Sequence, residues 1–222
     1  FVEPIAGSTG VLVPPKGYLE RLREICDEHG ILLVFDEVIC GFGRLGAPFA
    51  SHAFGVTPDL MTMAKALTNG AQPMGAVAVD DHVYKTITEA APENAIEFFH
   101  GYTYSGHPAA CAAGIAVQKI YEEEQSFDKA ASLSDYFLDG LFSLQDLDVV
   151  KDIRGYGLMG GVELHPKGTP GALGTQTQKD LFWNGMHVKF TGDVGILAPP
   201  FASEKQHIDE MVDKLRMTLE AI

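Results

Sequence analysis

The feature that most constrains the fold is a helix-like segment followed by an uninterrupted apolar run. Apolar residues recur at three-residue steps from Leu19 to Ile25 among charged ones, and Gly30 can end the helix predicted over 17–28. Residues 31–35, Ile-Leu-Leu-Val-Phe, are all apolar, which is typical of a parallel strand covered on both faces. A helix that leads into such a strand predicts an α/β fold with a layered, mostly parallel sheet.

Two chemically useful side chains follow predicted strands. Asp36 comes directly after 31–35, and Lys65 stands at the end of the short strand predicted near 58–63. Ligands of open α/β sheets sit beyond the carboxyl ends of the strands, so an acid and an amine would face one crevice. A desolvated lysine amine is a nucleophile that can form a Schiff base with a carbonyl. The alternatives are a turn or helix-cap role for Asp36 and a snorkelling, structural role for Lys65.

Local patterns in the next segments predict further elements of the first half. The run 75–79 reads as another buried strand, and 80–91 as a surface helix. Residues 98–108 are rich in glycine and hydroxyl groups, and Pro108 can occupy the first turn of a helix that continues to about Glu124.

The second half of the chain has a different character, because modest strands and helices alternate without another charged crevice. We predict that residues 1–115 belong to a larger ligand-binding domain and residues 116–222 form a smaller α+β domain. Its predicted elements are helices near 127–144, 175–185 and from about 203, and strands near 149–154, 157–164, 186–190 and 194–198.

Composition narrows the class of partner. A formal charge of −14 over 222 residues argues against nucleic acid and anionic membranes, which require clustered Lys and Arg. No apolar run reaches the length of a membrane span. Three widely spaced cysteines and scattered histidines show no metal-ligand spacing and suit reduced thiols, so we expect a cytoplasmic protein without a metal site.

Five motifs in order resemble the class III aminotransferases, and in particular their ω-amino acid:pyruvate branch, of which the β-alanine-using enzymes are typical. The motifs are residues 35–46, 54–60, 64–65, 68–71 and 100–108. The resemblance implies the type I fold of pyridoxal-phosphate enzymes and a homodimer or a dimer of dimers. It also implies that the chain covers about the C-terminal half of a family member.

The resemblance assigns roles to four residues. Lys65 matches the lysine that holds pyridoxal 5'-phosphate as a Schiff base and moves the substrate proton. Asp36 matches the carboxylate paired with the pyridine nitrogen, which keeps the ring an effective electron sink. Val38 matches the apolar residue against the ring face, and Thr103 the hydroxyl that bonds the cofactor phosphate of the neighbouring subunit.

Lys189 departs from the family pattern. It matches the position of an arginine that binds the substrate carboxylate, and lysine gives up the planar, two-pronged contact of arginine. We therefore expect carboxylate recognition to be weaker or differently arranged, unless Lys189 is only a surface residue on a strand edge. The family's phosphate-binding loop and the aromatic residue stacked on the cofactor have no counterpart in these residues.

The implied reaction is the transfer of an amino group from an ω-amino acid or amine donor to a 2-oxo acid acceptor, pyruvate, in a ping-pong cycle. Two alternatives remain open at this point. One is an enzyme of the same fold and cofactor with another reaction, an aminomutase or racemase. The other is a catalytically incomplete fragment.

Overall fold

In the computed structural model, which describes residues 1–222, the first sheet has three strands in the order β1 (Val34–Asp36), β2 (Leu60–Met63) and β3 (Ala76–Val79). β1 and β2 are parallel, and β3 runs antiparallel to β2. The preceding helix α1 (Tyr18–His29) ends at the left-handed Gly30, as predicted, and packs on β1 through a small core. That core contains Leu19, Cys26, Leu33, Phe35 and Val56.

Two predictions about these strands were wrong. The strand predicted over 31–35 begins only at Val34, because the Asp59 carboxylate accepts the Leu33 N–H at 2.6 Å and the Asp59 N–H bonds the Leu33 carbonyl at 2.8 Å. Ile31 and Leu32 are consequently half exposed. The run at 75–79 does form β3, but Val77 is 57% exposed, because β3 is an edge strand on which nothing else in this chain packs.

The second sheet is fully antiparallel, in the order β4 (Val150–Tyr156), β5 (Met159–Leu164), β7 (Val194–Leu197) and β6 (Lys189–Thr191). Helices α5 (Ser126–Phe142), α6 (Ala172–Trp183) and α7 (Lys205–Glu220) bury their apolar residues against it. This is the largest core of the molecule and includes Phe137, Leu141, Leu158, Leu164, Leu181 and Leu215. The α+β character predicted for this half is therefore present.

The remaining helices connect these layers. They are α2 (Ala50–Phe54), α3 (Asp81–Glu89) and α4 (Pro108–Glu123), the last of which starts at the proline that the sequence indicated. The predicted division at residue 116 falls inside α4 and stays a prediction. None of the helices combines the length and apolar character that crossing a bilayer requires. No three His, Cys, Asp or Glu side chains converge as a metal ion would need.

Hydrogen bonds and an apolar cluster join the two halves of the chain. Arg154 Nε donates to the Gly10 carbonyl at 2.8 Å, and the Leu158 N–H donates to the Arg44 carbonyl at 2.9 Å. Met159 is buried in a cluster with Ile5 and other residues of the first half. The turn between β4 and β5 thus lies directly against the loop that follows β1.

Gly157 in that turn is expected to tolerate no side chain. Its φ is +60°, and a Cβ there would lie 2.5 Å from Leu45 Cα and 2.8 Å from the Arg44 carbonyl oxygen, which are backbone atoms that cannot rotate away. Gly157→Ala should lower the free energy of unfolding by about 3 kcal/mol or more, measured by urea denaturation. Gly168→Ala is the matched control, because Gly168 has φ +79° but nothing within 4 Å of a Cβ. Gly168→Ala should lower the free energy of unfolding by only about 1 kcal/mol. An equal decrease in both variants would contradict the proposed clash of a Cβ at position 157 with the backbone.

Candidate active site

The carboxyl ends of β1 and β2 bring the predicted acid and amine to one edge of the first sheet. Asp36 is the last residue of β1 and is paired in register with Thr62 of β2, three residues before Lys65. The Asp36 carboxylate accepts the N–H of Val38 at 3.0 Å, which fixes its position at the start of the loop. The parallel pairing of β1 and β2 places both residues at the same edge of the sheet.

Lys65 sits in a strained turn rather than at the end of a buried strand. Its φ is +46°, in the left-handed region that residues other than glycine rarely adopt, and it starts a single 3-10 turn to Leu67. The Lys65 carbonyl accepts the N–H groups of Thr68 at 3.2 Å and Gly70 at 3.3 Å. The side chain is exposed, so its amine is free to meet a ligand.

A cavity of about 530 Å³ opens beside this turn, within the size range of small-molecule sites. It is bounded by the loop after β1, the Lys65 turn, the end of α4 with the start of α5, and the segment after β7. The residues are Val38, Ile39, Gly41, Arg44, Lys65, Ala66, Asn69, Gly70, Ile120, Tyr121, Glu124, Ser126, Ala198, Pro200, Phe201 and Ala202.

Tyr121 supports the Lys65 turn from α4. Its hydroxyl donates to the Ala66 carbonyl at 2.8 Å, and its ring packs among Phe42, Phe127 and Phe201. Burial raises the pKa of the Tyr121 hydroxyl, so it acts here as a neutral donor. The turn that carries Lys65 is thereby attached to α4.

Glu37 organises the loop after β1. It is fully buried, and its two carboxylate oxygens accept the N–H groups of Ala50 and Ser51, each at 2.9 Å. Burial raises the pKa of Glu37, while these two hydrogen bonds oppose that shift. Glu37 therefore holds the loop in place and does not line the cavity.

Arg44 connects the loop to the second half of the chain. Its Nη1 donates to the carbonyl oxygens of Leu158 at 3.0 Å and Pro199 at 2.7 Å. Its Cζ lies 4.8 Å from the centre of the Phe201 ring. Burial lowers the pKa of Arg44 to about 10, which leaves the guanidinium charged at neutral pH.

The structure brings some of the predicted residues together and leaves others apart. Val38 and Lys65 line the cavity, and Asp36 is hydrogen-bonded to Val38 just outside the lining. Thr103 is exposed in the segment before α4, and Lys189 is exposed on the edge strand β6; neither is a lining residue.

Three functional candidates were missed by the sequence analysis: Arg44, Tyr121 and Glu37. The Asp36-Glu37 pair at a strand end was a visible signal for Glu37, and a charged residue within the glycine-spaced loop was one for Arg44. Tyr121 gave no signal, because in the sequence it is one aromatic residue on a helix.

An amine and a carboxylate thus lie at the same edge of the first sheet, beside a cavity of small-molecule size. The aminotransferase class III family profile matches residues 1–219, and the chain belongs to this family. The predicted resemblance is thus confirmed.

Relatives with known names place the chain within the family. It is 54% identical over 220 residues to an omega-aminotransferase of Caulobacter vibrioides, covering 99% of this chain and 50% of that protein. It is 48% identical to a β-alanine–pyruvate aminotransferase of Pseudomonas aeruginosa, covering 100% of this chain and 50% of the relative. The chain therefore spans about half the length of the curated relatives it matches.

The fold of this chain is similar to the folds of solved transaminase structures. A transaminase with L-alanine superposes with a TM-score of 0.96 at 36% identity, over 99% of this chain and 53% of that one. An omega transaminase from Pseudomonas jessenii in complex with PMP gives a TM-score of 0.92 at 34% identity, over 99% of this chain and 50% of that one. The α/β fold is the type I transferase fold that the sequence analysis predicted.

Proposed function

We propose that the protein is a pyridoxal-phosphate-dependent transaminase that moves an amino group from an ω-amino acid or amine to pyruvate. The observation that carries this proposal is the free amine of Lys65, held in a strained turn at the sheet edge beside Asp36 and facing the cavity. The named relatives include an omega-aminotransferase and a β-alanine–pyruvate aminotransferase, which supports this reaction class.

The residues present fit the cofactor chemically. The aldehyde of pyridoxal phosphate reacts with a primary amine, its pyridinium nitrogen pairs with a carboxylate, and its aromatic ring packs on an apolar surface. Lys65 and Val38 provide the amine and the apolar surface in the lining of a cavity of about 530 Å³, and Asp36 provides the carboxylate just outside it, hydrogen-bonded to Val38. One solved neighbour of this fold was obtained with PMP, the amino form of this cofactor.

When bound, pyridoxal phosphate supplies an electron sink that lets a proton leave the substrate carbon next to the nitrogen. Lys65 Nζ would accept that proton and return it, because it is the amine that lines the cavity. Asp36 would hold a negative charge opposite the ring nitrogen, and Val38 would orient the ring by packing against its face. Tyr121 would keep the Lys65 turn in place through the Ala66 carbonyl.

We further propose a homodimer, or a dimer of dimers, in which Thr103 binds the cofactor phosphate of the neighbouring subunit. The segment around Thr103 supports this arrangement, because Phe99 is 88% exposed and Tyr102 and Tyr104 are each 79% exposed. Exposed aromatic side chains in one segment are typical of a surface that another chain covers. A division into domains 1–115 and 116–222 and a cytoplasmic location are part of the same proposal.

The proposal is tested with the full-length protein, pyridoxal phosphate, β-alanine and pyruvate. We expect alanine to accumulate, and treatment with borohydride in the absence of donor to fix the cofactor covalently on the peptide that contains Lys65, identified by mass spectrometry. Label on a different residue would refute the assignment of Lys65. Fixation on Lys65 without any alanine would favour an aminomutase or a racemase instead.

A further inference from the structure

Arg44 is the one arginine of this chain without a carboxylate partner. Arg21, Arg23, Arg154 and Arg216 each form an ion pair with Asp or Glu. Arg44 forms none, although it lines the cavity beside Lys65. We propose that Arg44 binds the carboxylate of an amino-acid or 2-oxo-acid substrate in this cavity. The inference rests on the proposed transaminase function and names the substrate group that the cavity recognises.

The donors of Arg44 are only partly used by the protein. A guanidinium has five N–H groups in a planar fork. Nη1 donates to two main-chain carbonyls, and no protein atom accepts from Nε or Nη2. The only fully buried arginine nitrogen without a partner in the molecule is Nε of Arg23, so the free donors of Arg44 remain accessible. Nε and Nη2 together form the edge that binds a carboxylate through two parallel hydrogen bonds.

The guanidinium is held in place before any ligand arrives. The carbonyls of Leu158 and Pro199 fix Nη1, and the Phe201 ring covers one face. Because these acceptors are neutral, the positive charge has no counter-ion among the residues of this chain, and a partly buried cation in that state is costly. The Glu124 side chain lines the same cavity but forms neither an ion pair nor a hydrogen bond with Arg44. An anion in the cavity would remove this cost.

If Arg44 binds the substrate carboxylate, an arginine is not needed at position 189. Lys189 lies on the edge strand β6, is exposed, and is absent from the cavity lining. A lysine there cannot give the bidentate contact of an arginine. Arg44 supplies a planar fork from a different element, the loop after β1, and it lies in the same cavity as the amine of Lys65.

The experiment compares donors with and without a carboxylate in the full-length holoenzyme. The donor half-reaction is followed under single-turnover conditions with β-alanine and with butylamine, so that pyruvate does not enter. For Arg44→Met we expect the half-saturating concentration of β-alanine to rise at least about tenfold. The half-saturating concentration of butylamine should change by less than about twofold. Arg21→Met is the matched control, since Arg21 is exposed on α1, pairs with Glu24 and does not line the cavity, so the half-saturating concentration of neither donor should change.

A second measurement does not depend on turnover. Propanoate carries the carboxylate of β-alanine without its amine, and its dissociation constant from the holoenzyme should rise at least about tenfold in both Arg44→Met and Arg44→Lys. Arg44→Lys keeps the charge and serves if the methionine variant does not fold. Unchanged propanoate binding in either variant would overturn the proposal.

Two other outcomes would also overturn it. If the Arg44 variants raised the half-saturating concentrations of β-alanine and butylamine equally, Arg44 would only position the cavity wall. A selective loss of β-alanine in Lys189→Ala, with none in Arg44→Met, would assign the carboxylate to Lys189. Absence of amino transfer in the unsubstituted protein would instead refute the proposed function, and it is distinguished from these results because propanoate binding is measured separately.

Discussion

Replacing Lys65 by alanine is expected to abolish amino transfer while leaving the protein folded. Lys65 is the amine in the cavity, and no other lysine lines it. Loss of both a covalent attachment point and a proton carrier should lower kcat at least about 10³-fold. The side chain is exposed and makes no hydrogen bond or ion pair to other residues, so the urea midpoint should change little. Alanine formation from β-alanine and pyruvate gives the rate.

The controls separate chemistry from backbone strain. Lys65→Asn also removes the amine, but asparagine tolerates the left-handed φ of +46° better than alanine does, so it should be equally inactive and at least as stable. Lys85→Ala removes an exposed lysine of α3 that pairs only with Asp81, and it should retain full activity. Substantial transfer by either Lys65 variant would contradict the role of this residue.

Asp36→Asn is expected to lower kcat by about 10²-fold or more without displacing the loop after β1. The asparagine oxygen can still accept the Val38 N–H, which the carboxylate accepts at 3.0 Å, so the local geometry should survive. What disappears is the negative charge that would face the ring nitrogen. Borohydride should still fix the cofactor on Lys65, because the amine is untouched.

Asp80→Asn provides the matched change of charge outside the site. Asp80 caps α3 by accepting the His82 N–H at 2.8 Å, and asparagine is about as good a cap, so both activity and stability should be retained. If Asp36→Asn kept a third or more of the original kcat, the carboxylate would not be acting on the cofactor as we propose.

The parts of this molecule that could be predicted from the sequence depend on local patterns. The three-residue spacing and Gly30 located α1, and Pro108 marked the start of α4. The carboxyl ends of β1 and β2 were placed correctly, although Lys65 lies in the turn two residues after β2, because the direction of parallel strands fixes where their carboxyl ends lie.

The rest depends on contacts between residues far apart in the sequence. β1 is short because Asp59, 26 residues away, takes the Leu33 N–H. The position of Arg44 is set by carbonyls 114 and 155 residues further along the chain, and no local pattern reports such contacts. Thr103 is exposed within a run of exposed residues, so no contact inside this chain indicates its role.

The lining of the cavity has a consequence for folding cooperativity. Its walls come from the loop after β1, from the end of α4 and from the segment 198–202, so it exists only when both sheets are folded and in contact. A ligand that fills it stabilises both halves at once, since the binding free energy is lost when either half unfolds. Occupancy should therefore merge the melting of the two halves into a single transition, with the Arg44 contacts to Leu158 and Pro199 as the connection between them.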